Sequence, residues 1–148
     1  RRPPSSTRFP STPLFRAELN IGKDRPLTRM QLWLAACPER ENPLLQKIAV
    51  PQQTRFLLAS PDGVDGSLQL RQQVWVHQII LAPGEQHTVK LNGPRAYLQS
   101  IHGSLDLQAS SANQELLSCG DGAFLSEEHQ ITLQAKTPLR ALVIDLPA

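Results

Sequence analysis

What the chain lacks narrows the reading first. None of its runs approaches the roughly 18 consecutive apolar residues that a membrane-spanning helix needs. Its start, Arg1-Arg2-Pro3-Pro4-Ser5-Ser6, carries charge with no apolar stretch behind it, so it does not read as a signal peptide. Only two cysteines are present, Cys37 and Cys119, with neither CxxC nor Cys-His spacing. They read as two reduced core thiols rather than a disulfide scaffold, and cytoplasm is the expected location. Neither charge sign dominates: 15 Lys and Arg face 13 Asp and Glu, a net +2. Nucleic-acid binding wants a strongly basic face, so charge excludes little and points to no such partner. No long amphipathic helix and no internal repeat is evident.

What is present reads as a proline-rich arm followed by strands. Pro3, Pro4, Pro10, Pro13 and Pro26 punctuate residues 1–26, with Ser and Thr between them. Proline lacks the N–H that a helix or central strand must donate, so this arm is expected to be extended or disordered. Residues 27–148 are expected to form one domain, which begins with a connector over 27–54. Within it Met30, Leu32 and Leu34 alternate with Gln31 and Trp33, a strand pattern. Leu44–Val50 reads equally as a helical turn or a short strand, closed by Pro51.

From Arg55 onward short apolar runs alternate with turn signals. Arg55–Ser60 precedes Pro61-Asp62-Gly63 and Asp65-Gly66, both strong turn chemistry. Leu68–Leu81 reads as one long strand ended by Pro83-Gly84. Further strands are expected over His87–Leu91, Ala96–Ile101, Ser104–Gln108, Glu115–Ser118, Gly122–Leu125, Gln130–Gln134 and Leu139–Asp145. About eight or nine such strands imply an all-β, antiparallel barrel or sandwich. A chain of this length buries roughly 70% of its unfolded surface, enough for one core.

Several runs look like chemistry and are not. Ser118-Cys119-Gly120 has no strand-turn-helix context for a nucleophile elbow. Asp62-Gly63-Val64-Asp65-Gly66 lacks the acidic spacing and closing Glu of a calcium loop. Glu127-Glu128-His129 reads as a solvated loop.

The segment from Lys23-Asp24-Arg25-Pro26-Leu27-Thr28-Arg29-Met30-Gln31-Leu32-Trp33-Leu34 to the end resembles a known family. Gly66–Val76, Leu81-Ala82-Pro83-Gly84-Glu85, Gly93–Gly103, Cys119-Gly120-Asp121-Gly122-Ala123-Phe124 and Leu139–Pro147 follow in the order of the second cupin of pirin-family bicupins. The likeness is to the enterobacterial, quercetin-dioxygenase-like type. It implies a cupin-like antiparallel β-barrel and a connector carrying a Gln-Leu-Trp strand. It also implies that a first cupin, which holds the metal in that family, is lacking, so the chain reads as a truncated pirin. The chain opens on Arg1, which leaves loss of an initiator Met and origin as a fragment both open.

Metal-binding cupins place His-x-His and a carboxylate after a Pro-Gly turn, with another His after the second Gly-Asp. Alternate residues of a strand share a face, so the two imidazoles reach one ion. Counted from Gly84, the resemblance puts those positions at Val89 and Leu91, the carboxylate near Arg95, and the last ligand near Ile131. None suits a metal, so no cofactor and no catalytic residue are expected. His87, His102 and Glu85 are the residual candidates for an unorthodox metal site. Trp33, Trp75, His77 and His87 are the candidate binding residues.

The resemblance further implies a protein-binding or regulatory role, since pirins are described as partners of other proteins. The alternatives are quercetinase-type metal-dependent dioxygenase activity, or small-ligand binding in a residual barrel cavity. A homodimer through the face left by the missing cupin, near residues 27–34, is the expected assembly. No membrane partner is expected.

Overall fold

The computed structural model describes residues 24, 26, 29–35, 45–109 and 114–147, and every structural statement below concerns these. The chain divides into two units, Arg1–Trp33 and Leu34–Ala148. The first holds no regular element among its described residues. The expected extended arm over 1–26 lies almost wholly outside the described residues, as do Cys37 and the polar loop that follows it.

Residues 29–35 correct one expectation, because they belong to no strand. Alternating side chains mark a face, but a strand also needs a neighbouring edge to accept its hydrogen bonds. Residues 45–50, from the run read as a helical turn or a short strand, are likewise irregular. The Gln46 side chain nevertheless bonds the Gln69 backbone both ways: its Nε2 donates to the Gln69 carbonyl at 2.7 Å, and its Oε1 accepts the Gln69 amide at 2.9 Å.

The second unit is all-β, with no α-helix among its described residues. Its strands are β1 (Arg55–Ser60), β2 (Leu68–Gln69), β3 (Trp75–Leu81), β4 (Gln86–Lys90) and β5 (Arg95–His102). There follow β6 (Leu105–Ala109), β7 (Gln114–Leu117), β8 (Gly122–Ser126), β9 (Gln130–Ala135) and β10 (Leu139–Leu146). A six-stranded sheet runs β2-β1-β3-β10-β5-β8, and a four-stranded sheet runs β4-β9-β6-β7. Every pairing is antiparallel except β1 with β2.

That exception explains why Leu68–Leu81 is not one strand. β2 lies along one edge of β1 in the parallel sense, whereas β3 lies along the other edge in the antiparallel sense. The chain must reverse between them, and it does so through bends at residues 71–73. The apolar run survives the break because both faces of the larger sheet are covered. Ile79, Leu81, Val89, Leu98, Leu105, Ile131, Leu133, Ala141 and Val143 form the core between the sheets. On the opposite face Val76, Leu142 and Ile144 pack with Val74, Ala59 and the partly buried Leu68 and Leu70.

Turns close the barrel where the sequence places its glycines. At the β5–β6 turn Gly103 adopts a φ of 82°. A methyl group there would collide with the carbonyl oxygen of Pro138 and crowd the Thr137 hydroxyl. A left-handed conformation disfavours any Cβ, and the clash adds an overpacking penalty. Gly103→Ala is therefore expected to cost about 2–4 kcal/mol, read as a lower urea midpoint at an unchanged denaturant slope.

Candidate functional site

The inward face of β3 carries Trp75, His77, Ile79 and Leu81, since residues two apart share a side. Directly paired residues of antiparallel strands also share a side, so Leu57 of β1 and Val143 of β10 flank His77, while Arg55 joins Ile79. From the other sheet β4 turns His87 and Val89 inward, opposite Leu133 and Ile131 of β9. His77 is 4% exposed, His87 half-buried and Arg55 exposed.

These three side chains make a cationic and imidazole cluster. The Arg55 guanidinium donates to His77 Nε2 at 3.4 Å. An arginine is only a donor, so Nε2 accepts and the His77 proton sits on Nδ1. That Nδ1 has no hydrogen-bond partner, and neither has the buried Nε2 of His87. Burial first, then the Arg55 charge and then His87, holds the His77 pKa down to about 4. Burial, followed by Arg55, lowers that of His87 as well. Both effects oppose a positive charge on the rings, so the resting cluster holds neutral imidazoles beside one guanidinium.

The sequence-derived candidates meet mixed outcomes. His77 and His87 converge, and Trp75 lies half-buried two residues from His77 on the same face. Trp33 belongs to the other unit and is exposed. Glu85, His87 and His102 do not gather into a metal site. No group of three or more His, Cys, Asp or Glu among the described residues could hold a metal ion. Glu85 instead accepts the Ala82 amide at 2.8 Å across the Pro83-Gly84 turn, and His102 is exposed at the end of β5.

The four positions where the cupin pattern expects ligands are also placed. Val89 and Ile131 are fully buried in the core, and Leu91 packs against it. Arg95 differs from expectation: it is exposed, and its inward neighbour is Ala96. A one-residue offset along a strand moves a side chain to the other face. None of these side chains offers a nitrogen or oxygen to an ion inside the barrel, so the positions do not fit a metal.

Two other expectations are corrected. Cys119 is a free, exposed thiol in the β7–β8 turn rather than a core residue. Glu128 is buried, not solvated, because the β8–β9 loop folds inward and its amide bonds the Pro94 carbonyl at 3.1 Å. Sequence reasoning missed Arg55 as a site residue. Its parity with Leu57 was a signal, but its nearness to His77 depends on strand pairing.

Two facing, mainly antiparallel sheets around an apolar interior define a cupin-type barrel. Residues 57–146 match the quercetinase C-terminal cupin domain, and the chain belongs to this pirin-type family. The pirin-like protein YhaK of Escherichia coli K12 is 59% identical over 131 residues, 88% of this chain and 56% of the relative. The crystal structure of YhaK from Escherichia coli superimposes with a TM-score of 0.71 at 57% identity, covering 76% of this chain and 50% of that one. The quercetin 2,3-dioxygenase of Escherichia coli K12 is 27% identical over 144 residues, 92% of this chain and 58% of that protein. The chain thus spans about half the length of the curated relatives it matches.

Proposed function

We propose that the chain is a metal-free, non-enzymatic cupin module of the cytoplasm that works by binding, in a protein-binding or regulatory role. The observation that carries this reading is the burial of Val89 and Ile131, with Leu91 against them, where a catalytic cupin needs imidazoles. An oxygenase of the quercetinase type needs a redox metal with an open coordination position. Aliphatic side chains supply no such centre. Metal analysis and oxygen uptake test the reading together. Purified protein is expected to carry far less than one equivalent of iron, nickel, copper or manganese and to consume no oxygen with quercetin. A stoichiometric metal together with flavonol turnover would sink it.

A second copy of the chain is the first partner this reading names, meeting it near residues 27–34. Exposed Met30 and Leu32 in that segment support the idea, since apolar surface favours self-association. Light scattering on a sizing column should then give twice the chain mass at tens of micromolar. A monomer mass there removes the dimer from the proposal.

A further inference from the structure

We propose that Arg55, His77 and His87 form a binding site for a small monocarboxylate with a short apolar body. The inference goes beyond a protein-binding role, and its test is independent of metal content and oxygen uptake.

Three observations carry it. Two buried imidazole nitrogens, His77 Nδ1 and His87 Nε2, lack partners. A buried polar atom left unsatisfied is costly, and in a native fold each such atom needs an account. By the Arg55 bond, His77 Nδ1 carries a proton, so what it lacks is an acceptor. Next, Arg55 pairs with no carboxylate among the described residues and spends one donor on His77. A guanidinium has five N–H groups in a planar fork that fits a carboxylate, so most of its capacity is free.

The third observation is the company these groups keep. The residues paired with the two imidazoles are Leu57, Val143 and Leu133, from β1, β10 and β9, and none is charged. Donors and one positive charge beside aliphatic walls suit an anionic head on an apolar tail. The same surroundings exclude a metal ion, because a guanidinium 3.4 Å from a ring nitrogen repels a cation. They also disfavour inorganic phosphate, whose several charged oxygens would face leucine and valine without partners.

The two orphan nitrogens are closed to bulk water, whereas Arg55 is exposed. Access therefore begins with a movement of the arginine, which bonds His77 Nε2 again once the ligand is in place. The carboxylate then bridges the guanidinium and the His77 Nδ1–H, and His87 gains an acceptor for a ring proton. No bond is made or broken; the ligand supplies the missing acceptors.

Titration of the full chain with butyrate, followed by imidazole resonances in NMR spectra, tests the site. Saturable shifts of the His77 and His87 rings are expected at millimolar butyrate, and they should be absent with sodium chloride at equal ionic strength. Arg55→Met should weaken butyrate at least tenfold, as loss of a charge-assisted hydrogen bond predicts. Arg55 is exposed, so this variant keeps its fold. His87→Gln, at a half-buried position, is a second variant and should also weaken binding severalfold. No saturable shift, equal affinity in Arg55→Met, or tighter binding of inorganic phosphate than of butyrate each overturns the proposal.

Discussion

Acidifying the protein from pH 7 to pH 4 should cost about 2 kcal/mol of unfolding free energy through His77 alone. An unfolded imidazole titrates near 6.5, whereas the folded ring is held to about 4, by burial above all and then by Arg55 and His87. Between those values the unfolded chain binds more protons than the folded one, so stability falls as pH falls. The contribution is fully present above about pH 6.5 and is lost on descent to about 4. Two and a half pH units correspond to at most about 3 kcal/mol, and water around exposed Arg55 trims that toward 2. His87, whose pKa is lowered by burial and then by Arg55, acts in the same direction.

Replacing His77 by leucine separates this group from every carboxylate that titrates in the same range. Leucine fills a similar volume and removes the unpartnered Nδ1, so the variant should match the parent within about 1 kcal/mol at pH 7. Its urea midpoint should then change much less between pH 7 and 4. Parallel pH profiles for the two proteins would show that His77 does not carry the acid sensitivity.

Asp145→Ala should be the most damaging change at a buried polar residue, costing about 3 kcal/mol. The side chain is fully buried near the end of β10. One carboxylate oxygen accepts the Asn92 backbone amide at 2.6 Å and the Asn92 side-chain amide at 2.8 Å. The other accepts the Gly93 amide at 3.4 Å. Truncation leaves the β4–β5 turn with donors that have lost an ionic acceptor, each worth about 1–3 kcal/mol. Asn92-Gly93 is held closely here, since a Cβ on Gly93 would strike the backbone of Pro147. Asp145→Asn keeps one acceptor and should lose about half as much. Denaturation of both variants decides it, and a loss below 1 kcal/mol for the alanine would mean that water replaces the carboxylate.

The strands from Arg55 to Leu146 were legible because each alternates or is bounded by glycine and proline. Asp62-Gly63, Pro83-Gly84, Asn92-Gly93, Gly103 and Gly120-Asp121 all fall between strands, as their turn chemistry requires. The failures share one cause: pairing is a property of the fold, not of a local run. Met30 to Leu34 alternates but belongs to no strand, and Leu68–Leu81 is rich in Val, Ile and Leu but serves two edges of β1. Counting from a glycine assigned Arg95 to the interior, where pleat parity puts Ala96. In the site, His87 was legible from its parity with Val89. Arg55 was not, because no local pattern links it to a histidine 22 positions onward. Cys119 and Glu128 were misread by residue type, which does not say which way a turn faces.

The position of β10 has a consequence for synthesis. This strand, last in the described order, lies in the middle of the larger sheet, hydrogen-bonded to β3 on one flank and β5 on the other. A nascent chain that has emerged only as far as Pro138 has no means of joining those flanks. The larger sheet is therefore expected to close only after β10 has emerged, and a nonsense codon before Leu139 should yield an insoluble or degraded product rather than a smaller working one.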